Sequence, residues 1–158
     1  METQKVDAII DAYQSDPSSL LAIMQDVQDA ARYLPRDAME RIAERLQIPV
    51  VQVFRMATFF ESFHLKPRGK HICTVCMGTA CHVRGATRLV EQLERDLEVR
   101  SGGTTPDMLF TIEEVNCVGA CALGPLVIID GEYQGNMTSG NLQKVVKRMR
   151  KQEGKGGE

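Results

Sequence analysis

Two short segments constrain this chain more than any other part of it. They are TVCMGTAC at residues 74–81 and NCVGAC at 116–121, separated by 36 positions from the last cysteine of the first to the first cysteine of the second. Each holds two cysteines around small residues, and each follows a stretch that reads as a strand. Adjacent strands of one sheet can bring such loops together, so the two segments read as halves of one site.

The chain has five cysteines, an odd number. METQKVDAII lacks the apolar stretch and small-residue cleavage site of a signal peptide, and no apolar run approaches the roughly 20 residues of a bilayer span. The expectation is a cytoplasmic protein, free or in a peripheral complex at the cytoplasmic membrane face, with no direct membrane insertion. In a reducing compartment, metal binding or redox chemistry outranks a disulfide scaffold. With 43% hydrophobic and 25% charged residues over 158 positions, the chain suits one ordinary domain or a compact domain with a small helical extension. Wholesale disorder and fibrous repeats are excluded. A net charge of −2 gives no reason to expect a nucleic-acid partner. Basic residues do gather in KVVKRMRKQEGKGGE at 144–158, which reads as a solvated helix face and frayed tail.

Leu20, Met24, Val27 and Ala31 recur at helical spacing, as do Met39, Ile42, Ala43 and Leu46. Pro35 and Pro49 stand where proline starts helices, the second of these running over about residues 50–62. Pro67 and Gly69 in HLKPRGK break the pattern, which places a boundary near residue 66. Beyond it, HICTVC alternates like a strand, and Ala86, Leu89, Val90, Leu93 and Leu97 form a helical stripe. MLFTIEEVN and PLVIID read as strands, GEYQGN as a connection, and Leu142, Val145, Val146 and Met149 as the inner face of a final helix. The order β, α, β, β, α describes a small sheet with helices packed on it, after a helical lead-in.

Cys76-x4-Cys81 and Cys117-x3-Cys121 supply four thiolates, the ligand set of a [2Fe-2S] cluster or of a structural zinc. Zinc hooks favour C-x2-C, because two thiolates converge on one small ion; looser loops suit a cluster in which bridging sulfides must also be accommodated. Spacing therefore leans towards iron–sulfur and leaves zinc open. The glycines inside both loops allow close backbone approach and N–H donation to sulfur. Cys73 and Cys76 also form a C-x2-C pair of the thiol–disulfide type. Cys73 shares a strand face with Val75, however, and reads as a small buried apolar residue. His64, His71 and His82 lack ligand spacing and take structural readings.

VCMGTACHVRGA and CVGACALGPLVIIDGEYQGNMT resemble the two cysteine loops of the thioredoxin-like [2Fe-2S] ferredoxin family, and residues 33–72 resemble its helical lead-in. That family includes the 24 kDa subunit of respiratory complex I and small subunits of NAD(P)-linked hydrogenases and formate dehydrogenases. The resemblance implies an α+β chain. A helical N-terminal bundle over 1–66 precedes a thioredoxin-like [2Fe-2S] domain over 67–152, with a flexible tail over 153–158. It implies that Cys76, Cys81, Cys117 and Cys121 are the cluster ligands and that Cys73 falls outside the motif.

Four thiolates leave neither iron an open position, so one-electron transfer is the expected chemistry. The chain carries no G-x-G-x-x-G after a strand, no P-loop and no nucleophile–base constellation, and alone it is not expected to oxidise NADH. The resemblance implies exchange with a flavoprotein subunit, on which FMN and NAD(P) are expected. Phe59, Phe60 and Phe63 are candidates for that contact, or for the joint between the two regions. A zinc-binding structural module and a Cys73/Cys76 oxidoreductase are the alternatives.

Overall fold

Helical stripes and alternating strands separate cleanly along the chain, and the computed structural model describes residues 3–154. It divides into two units between Arg68 and Gly69, two residues beyond the expected boundary.

The first unit holds four helices: α1 (Thr3–Ala12), α2 (Leu20–Ala31), α3 (Arg36–Leu46) and α4 (Val50–Phe59). Val6, Ile10, Ile23, Met24, Val27, Leu34, Ile42 and Val53 make its core, so each helix buries one apolar stripe. Pro35 and Pro49 cap α3 and α4 in extended conformation. Arg41 grips Asp7 through two N–H donors at 2.8 and 2.9 Å, tying α3 to α1. Helix α4 stops at Phe59, short of the expected residue 62, because Phe60 turns extended. The turn reverses the fate of Phe63. On a continued helix it would share a face with Phe59, which is 79% exposed, whereas it is buried at 6%. Phe63 is thus a core residue and not a contact candidate.

The second unit is a four-stranded sheet with three helices: β1 (His71–Cys76), α5 (Thr79–Val83), α6 (Ala86–Leu97), β2 (Phe110–Val115), β3 (Val127–Ile129), β4 (Glu132–Gln134) and α7 (Ser139–Glu153). The strand order is β2-β1-β3-β4, with β1 parallel to β2 and antiparallel to β3, and β4 antiparallel to β3. A parallel neighbour requires a crossover, which α5 and α6 provide. Helix α6 packs on α7, β1 and β2, burying Leu89, Leu93 and Leu97 with Phe110, Ile112 and Val127.

Strand β2 begins at Phe110 rather than Met108. Met108 has a positive φ of 57°, and the Asp107 carboxylate accepts from the Leu109 N–H. Strand β4 lies within the expected connection. Asp130 and Gly131 have φ of 51° and 87° and make the two-residue reversal that pairs Ile129 with Glu132. Asp-Gly is a strong hairpin signal, which the surrounding polar residues mask. Helix α7 is capped by the Thr138 hydroxyl, which accepts from the Asn141 N–H at 3.3 Å. Glu153 belongs to the end of this helix, not to a tail, since its carboxylate pairs with Lys70 at 2.6 Å and meets His71 at 3.4 Å. The rest of the expected tail, 155–158, lies outside the described residues.

Candidate metal centre

Cys76 ends β1, directly opposite Val115 at the end of β2. The Met77 N–H donates to Val115 O at 2.7 Å, so the ladder runs up to the point where both chains turn away. The first loop enters α5, which carries Cys81. The second runs through Cys117 into the 3₁₀ turn Cys121–Leu123. Parallel pairing of two adjacent strands therefore delivers both cysteine loops to the same end of the sheet.

The four thiols form an arc in the order Cys81, Cys76, Cys117, Cys121. Cys76 is in hydrogen-bonding reach of both Cys81 and Cys117, and the Sγ atoms of Cys117 and Cys121 are 4.0 Å apart. Cys76 and Cys81 are buried, Cys117 and Cys121 exposed. Gly78 marks where the loops cross: a β-carbon there would stand 2.7 Å from Asn116 O and 3.3 Å from Cys117 Sγ. A surface depression of about 510 Å³, lined by Met77, Gly78, Thr79, Ala80 and Asn116, opens beside Cys117 and Cys121. Among the described residues no three His, Cys, Asp or Glu side chains converge as one ion would require. Cys121 also feels the charge of Cys76 and Cys81, so the four thiols form one electrostatic group.

Backbone N–H groups point at the sulfurs. That of Gly119 donates to Cys117 at 3.4 Å, while those of Gly78 and Val118 lie beside Cys76 and that of Leu126 beside Cys81. Burial opposes ionisation of Cys76, yet the Gly78 and Val118 N–H groups and the neighbouring thiols outweigh it and hold this thiol below its ordinary value. Cys81 is pushed up by burial and then by Cys76, and Cys121 by Cys117 beside it. Thiols this close resist ionising together, so a cationic group among them is what would make all four thiolates.

Cys73 lies apart from this arc. It is fully buried between Ile112 and Ile129, and burial, with Asp130, pushes its thiol up to about 12. Cys73 and Cys76 sit three residues apart on a paired strand, and a rise of about 3.3 Å per residue separates their Cα atoms by about 10 Å. That exceeds the roughly 7 Å limit for a disulfide, so the C-x2-C pair does not act as a dithiol in this strand. His71 bonds Asp130 at 2.7 Å, and His82 meets the Thr87 hydroxyl at 3.3 Å. Sequence reading missed the Val118 and Leu126 N–H donors, which carry no side-chain signature. It also passed over Arg84, whose guanidinium reaches the carbonyls of Cys121 and Gly124.

A family model described as thioredoxin-like [2Fe-2S] ferredoxin matches residues 6–150. The NADP-reducing hydrogenase subunit HndA of Solidesulfovibrio fructosivorans is 33% identical over 143 residues, covering 90% of this chain and 84% of that one. A subunit of the NADH-quinone oxidoreductase of Rhizobium meliloti (strain 1021) is 30% identical over 150 residues, covering 95% and 89%. Among solved structures, an NAD+-reducing [NiFe]-hydrogenase in the air-oxidized state superposes with a TM-score of 0.72 at 18% identity. It covers 85% of this chain, which spans 23% of the hydrogenase chain, and the likeness is one of fold.

Proposed function

The chain belongs to the thioredoxin-like [2Fe-2S] ferredoxin family, and from that premise we propose that it is an electron-transfer subunit in which Cys76, Cys81, Cys117 and Cys121 hold one [2Fe-2S] cluster. The observation that carries this reading is the arc of four thiols at the ends of two paired strands, with N–H donors on the sulfurs. The donor set fits the group: two cysteines at each end of the arc suit a cluster in which each iron takes two. The room that Gly78 leaves permits the loops to close on it. The helices up to Arg68 are then the N-terminal bundle and Gly69–Glu153 the thioredoxin-like domain.

The bound cluster supplies one-electron redox chemistry, since four protein thiolates leave no position for substrate. The chain's own groups orient and tune it. The N–H groups of Gly78, Val118, Gly119 and Leu126 favour added negative charge at the sulfurs. Cys117 and Cys121, the exposed pair, mark the side for electron exchange. The partner in this reading is a cytoplasmic flavoprotein subunit carrying FMN and NAD(P) in a multisubunit oxidoreductase of the kind the relatives' names describe.

Anaerobic purification tests it. About two irons per chain and a paramagnetic signal on one-electron reduction are expected. Serine at any of the four positions should lose or alter that signal, while Cys73→Ser should keep it. A colourless, zinc-loaded protein would defeat the cluster reading. Reduction of the isolated chain by NADH, without the flavoprotein, would defeat the relay.

A further inference from the structure

We propose that Arg84 is a positioning residue for the cluster: it ties the second cysteine loop to the first and keeps a fixed positive charge beside the sulfur ligands. The inference rests on the ligand assignment above. Arg84 Nη1 donates to Cys121 O and to Gly124 O, both at 3.1 Å. Arg84 itself closes α5, the helix that carries Cys81. One side chain therefore joins the backbones of both loops.

From Leu123 on, the Asn136 and Met137 N–H groups hold the second loop through Leu123 O at 2.7 Å and Pro125 O at 2.9 Å; at Cys121 itself the side-chain tie is Arg84. None of the residues Cys121–Leu123 is buried and the turn has no side-chain cap. Val118 and Ala120 pack against the core before the turn, and the guanidinium adds a bridge between two carbonyls at the exposed turn itself. The bridge also lies close to a ligand. The point where a β-carbon of residue 124 would stand is 3.1 Å from Cys81 Sγ and 3.5 Å from Arg84 Nη1, so thiol and guanidinium flank the same gap.

Two effects follow. Removing the bridge frees Cys121 to leave its ligand position, which speeds loss of the cluster. Reduction adds one negative charge, and a guanidinium stays protonated throughout the working pH range, so its attraction favours the reduced form. Arg84 is exposed, so the effective dielectric lies between that of a protein surface and bulk water, about 40; with a separation of no more than about 6.6 Å the equilibrium should shift about tenfold, which is about 59 mV for a one-electron couple.

The test compares wild type, Arg84→Gln, Arg84→Lys and Arg95→Gln in the full chain, by spectroscopic redox titration and by the half-life of the cluster against a chelator. Glutamine keeps an N–H donor but loses the charge; the expected result is a midpoint lowered about tenfold in equilibrium terms and a shorter half-life. Lysine keeps the charge and should hold the wild-type midpoint. Arg95→Gln, in the last turn of α6, should change neither. A cluster-loaded glutamine variant with wild-type midpoint and half-life overturns the proposal, as does a lysine variant shifted as far as glutamine. If both Arg84 variants fail to load, circular dichroism of the apo proteins decides: a wild-type spectrum supports the loop-holding role and an unfolded one overturns it. A wild-type chain that takes up no iron instead defeats the ligand assignment itself.

Discussion

Gly78→Ala probes the crossing of the two cysteine loops with a single methyl group. The backbone at Gly78 has φ −56° and ψ 153°, a conformation open to alanine, so the substitution carries no dihedral penalty. The added carbon would stand 2.7 Å from Asn116 O and 3.1 Å from Cys117 Cβ. Close C···O contacts settle at about 3.3 Å, so the loops must part by about half an ångström. Overpacking of this kind costs about 1–3 kcal/mol. For a unit of this size that lowers the melting temperature by about 4 °C or more. The displacement also exceeds the tolerance of about 0.2 Å in metal–ligand distances, so cluster occupancy should fall along with stability. Iron content, the visible spectrum and thermal unfolding of the apo protein provide the readouts. Gly140→Ala is the control: nothing lies within 4 Å of its β-carbon, in the first turn of α7, and it should be neutral or stabilising by up to about 1 kcal/mol. A Gly78→Ala protein with full iron, an unchanged spectrum and a wild-type melting temperature would refute the steric argument.

Cys73 predicts an alkaline instability. Its folded-state value of about 12 lies above the ordinary thiol value of about 8.5, so the unfolded chain gives up its proton first. Stability is full below the ordinary value and declines between it and about 12, by up to about 1.4 kcal/mol per pH unit. Denaturant titrations of wild type and Cys73→Ala at pH 8 and 10 measure the difference, and an equal pH slope for both would show that the thiol does not ionise on unfolding. In the first unit, Ile23 is fully buried. Ile23→Ala should cost about 2–5 kcal/mol in chemical denaturation, and a cost below about 1 kcal/mol would contradict its core position.

Much of the architecture was legible because its signals are local. The stripes of α3, α6 and α7 came from apolar spacing, and the strand positions of Cys73 and Val75 from alternation, which is why Cys73 could be read as a buried thiol. Element ends were less legible, since they depend on partners that are distant in sequence. Residues 60–63 continue an apolar helical pattern, yet the helix breaks because Phe63 gains more by entering the core than by lining a face exposed at Phe59. Strand β4 hid within polar residues because half its definition is the hydrogen-bonding edge of β3.

At the site, the sequence by itself determined the donor chemistry: four thiols in two loops, small residues inside them, and a fifth thiol on a strand. A ligand must carry the right atom, and that is written in residue type. The tertiary structure decided what those atoms meet. Parallel pairing of β1 with β2 sets Cys76 opposite Val115 and brings the loops together, which makes Gly78 a steric requirement rather than a mere turn residue. The same pairing sets Val118 beside the sulfurs, the antiparallel pairing of β1 with β3 sets Leu126 there, and α5 carries Arg84 to the carbonyls of the other loop. Backbone donors are identical at nearly every residue, so only their direction in the folded chain gives them a role.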